Sequence, residues 1–334
     1  MGFLNTSIQG GSLEIDFLLA LQGLREAAPD AVNQLFLLLS SFVVGPLPVL
    51  ITAIVFWCVN KRAGYFIASG YLACSCTNQL VKNIACINRP WILDARVVPD
   101  ATALPDATGY SFPSGHTACA TGFFGAIAVW LRSHKPVVVL CVALIVLTGF
   151  SRCWLGSHCP KDVLVAWLLS AAVIAGMCFA ARLVHKHPSW DIPLAAAVFT
   201  LSALALVFLE LKPYPLEYTA AGALLVDPFE MKTDCYKNMG GLMAMSIAWP
   251  LERRLIRFSE GGSIPVRVVR GAVGALLVAL LYAWLFPVML KPLLGVQVYA
   301  FLRYFVLIIM LVAVYPACFK AVESRFARTT ARTE

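Results

Sequence analysis

Residues 137–183 read VVVLCVALIVLTGFSRCWLGSHCPKDVLVAWLLSAAVIAGMCFAARL. Two apolar runs enclose a short polar connection, Ser151 to Asp162, that carries Arg152, His158, Lys161 and Asp162. A bilayer core of about 30 Å is crossed by about 20 helical residues at about 1.5 Å each, so both runs read as membrane helices. The same pattern repeats outward in both directions, giving spans at about 47–60, 65–84, 114–131, 137–152, 162–183, 192–210, 236–251, 269–288 and 296–317, of which the fourth and seventh are short. Of the 334 residues, 60% are hydrophobic and only 13% charged, with a mean hydropathy of +0.79. A soluble domain carries about 25% charged residues, so too few remain to coat a water-facing surface. The expectation is an all-α polytopic membrane protein with about nine transmembrane helices.

The formal net charge of +8 would point to nucleic acid in a soluble chain. Here the Lys and Arg residues stand in short clusters between apolar runs and read as topology signals, so no nucleic-acid partner is expected. Lys61, Arg62, Arg132, Lys135, Arg182, Lys186, Arg253, Arg254, Arg257, Arg267, Arg270, Lys320, Arg325, Arg328 and Arg332 fall on one side. The positive-inside rule then puts the C-terminus in the cytoplasm and loops 85–112, 153–161 and 211–235 outside, and the compact loops favour a bacterial inner membrane. Residues 12–26 are amphipathic, and a further apolar helix runs from Pro29-Asp30 to the break at Gly45–Pro48. Both are expected as interfacial or tilted helices in an N-terminal segment, 1–46. With Glu14 and Asp16 preceding any basic residue, the N-terminus reads as retained. The myristoylation-like Met1–Thr6 pattern is loose enough to be coincidence. Pro250, Pro287 and Pro316 are expected to kink or end their helices. The eleven cysteines read as small buried hydrophobes, with Cys153 and Cys159 as free thiols.

Three polar clusters fall on the exterior side. Lys82 and Arg89 are two helical turns apart, ahead of Pro90. Phe112-Pro113-Ser114-Gly115-His116 opens the third span, where a helix N-terminus offers amide groups to an anion. Ser151-Arg152 closes the fourth span, and His158 and Asp162 bracket the start of the fifth. Lys82, Arg89 and Arg152 supply three fixed positive charges that match phosphate oxygens, and they would be costly to gather at a membrane surface without an anion. Two imidazoles allow one to attack phosphorus while the other handles the leaving-group proton, and Asp162 can fix the tautomer of His158. These parts add up to phosphoryl transfer through a phosphohistidine that needs neither metal nor cofactor.

In order and separation, K-x6-R-P at 82–90, P-S-G-H at 113–116 and S-R-x5-H-x3-D at 151–162 resemble the three signature motifs of the type-2 phosphatidic acid phosphatase superfamily. The resemblance covers roughly residues 60–185. It implies a six-helix catalytic core within 47–210 and leaves 211–334 as a three-helix C-terminal extension with a basic cytoplasmic tail. It also implies His158 as nucleophile, Asp162 as its orienting partner and His116 as general acid and then base. Lys82, Arg89, Ser114, Gly115 and Arg152 would bind the phosphate. Trp154 and Ala166 replace an aromatic such as Tyr and a Gly common in the family, and neither touches a catalytic role.

The function expected is hydrolysis of a phosphate monoester or diphosphate of a membrane lipid at the exterior, periplasmic face. A lipid-linked phosphotransferase and a sugar-phosphate phosphatase are the enzymatic alternatives. Outside enzymes, the alternative is a lipid transporter or a silent lipid-binding protein. His134, His185 and His187 read as solvated residues, and Asp94, Asp100 and Asp106 as a solvated loop. The sequence leaves the oligomeric state open, and Asp227, Glu230 and Asp234 carry no assigned role.

Overall fold

A computed structural model describes residues 13–219 and 221–333, with side chains to Arg325; the Met1–Thr6 pattern and the side chains of Arg328 and Arg332 lie outside the described residues. Every regular element among the described residues is helical, and the chain is an integral membrane protein. Each of the nine expected segments is helical over most of its length. Among the described residues five helices are long and apolar enough to cross a membrane: Lys135–Trp154, Pro160–Lys186, Pro188–Leu211, Ile264–Leu290 and Val296–Arg325. The bent pair Asp30–Val44 and Leu47–Cys58 makes a sixth when taken as one span. The other expected spans fall short for identifiable reasons. Lys61–Ala85 carries Asn78, Gln79, Lys82 and Asn83, and Pro228–Leu251 begins earlier than expected with Glu230, Lys232 and Asp234 in its first turns. The helix from Gly115 to Trp130 is short and passes through a π-turn at Thr121–Gly125.

The chain divides into two compact units. One takes in the chain up to Pro48, Gly70–Met177 and Phe208–Cys235. In it the N-terminal helix Leu13–Ala27 buries Ile15, Leu18, Leu21 and Arg25, a stripe at helical spacing. Those side chains pack against Val97, Ala103, Cys153, Trp154, Leu155 and Cys159, so the amphipathic face covers protein. Polar contacts reinforce the seating. Arg25 donates to the Trp154 carbonyl (2.9 Å) and the Val98 carbonyl (2.5 Å), while Glu14 pairs with Lys161 (2.9 Å). Deeper in the same unit Gly70 meets Gly122. A Cβ on either would stand within 2.9 Å of the other's carbonyl oxygen, so only glycine permits this helix approach.

The second unit comprises Val49–Ser69, Cys178–Val207 and the chain from Tyr236 onward. Its interior centres on Trp57, whose indole donates to the Leu311 carbonyl (2.9 Å) and whose ring meets Tyr315. Several charges expected to mark the cytoplasmic side are also structural here. Buried Glu252 takes hydrogen bonds from Lys61 (3.2 Å) and Tyr65 (2.5 Å), and buried Arg270 binds Glu323 (2.7 Å) and the Trp57 carbonyl (2.8 Å). Pro316 does not end its helix, which continues to Thr333. The π-turn Met310–Val314 just before it relieves the clash that a proline ring makes with the preceding turn. Pro287 likewise sits inside a π-helical stretch, Leu281–Leu290.

Candidate active site

All eight residues singled out for phosphate chemistry fall in the first unit. Lys82, Arg89, Ser114, His116, Arg152, His158 and Asp162 are each no more than 7% exposed. The Lys61–Ala85 helix ends shortly after Lys82, where Cys86 takes a left-handed backbone conformation. The two turns expected to align Lys82 with Arg89 are therefore not one continuous helix. Arg89 instead precedes a short helix begun by Pro90, and loop carbonyls hold its guanidinium. Nε donates to Gly109 O (3.0 Å), Nη2 to Thr108 O (3.0 Å) and Nη1 to Ser157 O (2.9 Å). Lys82 Nζ donates to Tyr110 O (3.0 Å), so the loop that follows the first motif grips both of its cations.

The other two motifs meet through the backbone, where Ser114 N–H donates to Asp162 O (3.0 Å). That bond sets the start of the His116 helix against the first turn of the Pro160–Lys186 helix. The Ser114 hydroxyl accepts from Thr117 (2.9 Å), and the side-chain amide of Asn78 reaches the Pro113 carbonyl (3.4 Å). Arg152 donates through Nη1 to Ser40 Oγ (2.5 Å). Its Nε and Nη2 are buried with no hydrogen-bond partner among the described residues. Unsatisfied buried donors on a cation are costly, and an oxyanion is the group that would satisfy them.

His158 stands at the centre. Its Nδ1 lies 3.2 Å from Asp162 Oδ2 and 3.2 Å from Ser111 Oγ, and its Nε2 lies 3.0 Å from Arg89 Nη1. A carboxylate only accepts and a guanidinium only donates, so the proton sits on Nδ1 and the lone pair on Nε2. Burial, reinforced by Arg89, Lys82, Arg152 and His116, holds this imidazole neutral well below the usual histidine range. Burial, with Arg152 as a like charge, also pulls Arg89 down, to about 9. The arrangement presents a neutral ring nitrogen to a cluster of cations, as attack on an anionic phosphate requires.

Residues 63–187 match the PAP2 superfamily, and residues 236–328 match the PAP2 superfamily phosphatase transmembrane extension. Between them the two models take in most of the chain. The chain carries a PAP2 superfamily domain followed by that superfamily's transmembrane extension. The chain is 39% identical over 62 residues to an undecaprenyl-diphosphatase of Sulfolobus acidocaldarius, a stretch of 19% of this chain and 29% of that protein. It is 36% identical over 84 residues to phosphatidylglycerophosphatase B of Bacillus subtilis, covering 23% of this chain and 40% of that one. An undecaprenyl-diphosphatase of Bacillus subtilis is 43% identical over 72 residues, covering 21% and 33%. The chain thus aligns with less than half the length of these relatives. No solved structure matches it.

Ser111 and Ser40 lie outside the three motifs, and each touches the side chain of a motif residue. Ser111 contacts both His158 and Asp162, and Ser40, on the Asp30–Val44 helix, holds Arg152. Ser111 adjoins the second motif, where a polar residue beside Phe112 was the available signal. Ser40 had none, since its helix was expected at the interface. Cys153 and Cys159 are buried free thiols. Asp94 pairs with Arg96 (2.7 Å), Asp100 caps the turn at Thr102, and Asp227 caps the Pro228–Leu251 helix through Phe229 N–H (2.8 Å). No group of His, Cys, Asp and Glu able to hold a metal ion occurs among the described residues.

Proposed function

We propose that the protein is a membrane phosphatase that removes phosphate from a phosphorylated or diphosphorylated lipid through a phosphohistidine. One observation carries the reading: His158, ordered by Asp162 on one nitrogen, turns its other nitrogen into a buried set of cations with unspent donors. His158 Nε2 attacks phosphorus and the bond to the lipid oxygen breaks, with His116 protonating that oxygen. His116 then takes a proton from water, whose oxygen attacks the phosphohistidine. The P–N bond breaks, and phosphate leaves with both imidazoles restored. Arg89 turns from Nε2 to the phosphate as it enters. Together with Lys82, Arg152, Ser114 and the Gly115 amide, it stabilises the equatorial oxygens, a charge-stabilising role that metal ions play elsewhere.

A lipid substrate is supported by the relatives, whose names are those of lipid phosphatases, and by the apolar helices that flank the site. On this reading the chain crosses a bacterial inner membrane nine times, with the site on the periplasmic side and the C-terminus in the cytoplasm. Residues 47–210 form the catalytic core, 1–46 an N-terminal segment and 211–334 the extension. Phosphate release from phosphatidic acid, phosphatidylglycerophosphate, a polyprenyl diphosphate and a sugar phosphate, measured for wild type and His158→Ala, tests the assignment. Release from at least one lipid, abolished in the variant, is expected. Equal release by both proteins, or release from the sugar phosphate alone, overturns it.

A further inference from the structure

Ser111 is 1% exposed and lies outside the three motifs, yet it bonds to residues of the first and third and stands two positions before the second. Its backbone N–H donates to Ile87 O (2.8 Å), between Lys82 and Arg89. Its neighbour Tyr110 supplies the carbonyl that holds Lys82, and Phe112-Pro113 leads into Ser114. Its hydroxyl reaches His158 Nδ1 at 3.2 Å and hydrogen-bonds Asp162 Oδ2. A hydroxyl has one proton to give, and an ionised carboxylate can only accept, so that proton goes to Asp162. The oxygen's lone pairs are left facing His158 Nδ1–H. Oδ2 also accepts from Cys159 N–H (3.0 Å), whereas Oδ1 is buried without a partner among the described residues. The carboxylate is therefore held by one oxygen, and among the described residues Ser111 and His158 are the side chains that hydrogen-bond it.

We propose that Ser111 is a positioning residue for His158: in contact with both Nδ1 and Asp162, its hydroxyl holds the imidazole in the tautomer that leaves Nε2 free to attack phosphorus. The proposal rests on the phosphatase reading of His158. The side-chain groups facing the imidazole are Arg89, Lys82, Arg152, His116 and Asp162, and none of them changes when Ser111 does. Removing the Ser111 donor leaves the Asp162 charge less satisfied and more attractive to a protonated imidazole. His158 then keeps its proton to higher pH. A residue that only packed would leave the ionisation of His158 where it was.

The test compares Ser111→Ala and Ser111→Thr with wild type and His158→Ala in phosphate release across pH. Ser111→Ala is expected to lower kcat by about tenfold, the worth of one neutral hydrogen bond, with KM little changed. The acid limb of its kcat/KM profile is expected to move to higher pH, and Ser111→Thr, which keeps the hydroxyl, should recover most of the rate. Wild-type kcat and an unmoved acid limb in Ser111→Ala would overturn the proposal while leaving His158→Ala to decide the phosphatase reading. Nitrogen NMR of histidine-labelled protein gives a second reading that needs no turnover. A shift of the His158 Nδ1 signal in Ser111→Ala supports the role, and identical Nδ1 and Nε2 signals in the two proteins refute it. If wild type releases no phosphate, the phosphatase reading falls and the nitrogen signals alone decide the role of Ser111.

Discussion

Arg89 Nη1 lies 3.0 Å from His158 Nε2, so the nitrogen assigned to attack is capped by the guanidinium expected to receive the phosphate. The same guanidinium spends its remaining reach on Gly109, Thr108 and Ser157. A fork that bridges three carbonyls and one ring nitrogen has no counterpart in an ammonium group, which is a compact point charge on a flexible stem. Arg89→Lys is therefore expected to lower kcat/KM for phosphate release by about a hundredfold, two charge-assisted bonds' worth. A loss under threefold would mean that only the charge matters and that the fork is incidental.

Proton linkage at His158 has a definite sign. Its folded-state pKa lies well below the ordinary histidine value because burial and the neighbouring cations oppose the charged form. Between the ordinary value and the depressed one, the unfolded chain binds a proton that the folded chain does not, so stability falls as pH falls through that window. Thermal melts in detergent should show wild type losing stability below about pH 6.5, where a free imidazole takes its proton, and His158→Gln losing less. Activity should follow the same logic, with the acid limb of kcat/KM below the usual imidazole range because His158 stays neutral there. An acid limb at or above neutral pH contradicts the burial of His158.

How much of this was legible in the chain depends on what kind of contact was involved. His116, His158, Asp162 and Arg152 could be read because helix ends and short spacings bring them together, and periodicity reports both. Two helical turns would align Lys82 with Arg89 if the helix continued, but it ends at Ala85 and loop carbonyls aim Arg89 instead. Carbonyls belong to every residue and leave no trace in side-chain pattern. Hydropathy gave the positions of the apolar helices. It could not show that the stripe Ile15, Leu18, Leu21 faces protein, nor that Arg25 reaches across 129 positions of sequence to Trp154. Amphipathicity records that a face is covered and not by what.

That covering helix supplies a third prediction. Gly156 sits in the connection before His158 with φ at +69°, and a Cβ there would stand 3.1 Å from Pro99 Cα and 3.3 Å from Arg25 Nη1. A left-handed backbone costs a non-glycine residue about 1–2 kcal/mol, and the crowding adds to it. Gly156→Ala should lower the melting temperature and, because His158 is two residues on, reduce kcat as well. Arg25→Ala, which strands the Trp154 and Val98 carbonyls, should destabilise by about 1–3 kcal/mol. Unchanged melting in both variants would show that the N-terminal helix is dispensable to this part of the fold.

Arg152 yields the last prediction, and it needs no substrate. Two of its nitrogens are buried without partners among the described residues, and its third is fixed by Ser40, so the guanidinium is already oriented and desolvated before any anion arrives. An oxyanion that satisfies those donors binds the folded chain and not the unfolded one, and stabilises it by mass action. Inorganic phosphate at about a hundred times its dissociation constant should add about 2.7 kcal/mol, visible as a rise in melting temperature. Arg152→Ala should abolish most of that rise by removing the ligand's charge-assisted bonds. Ser40→Ala should weaken it to a lesser degree, because the charge remains while its orientation is lost. A phosphate-induced rise of the same size in Arg152→Ala would place the anion somewhere other than beside His158.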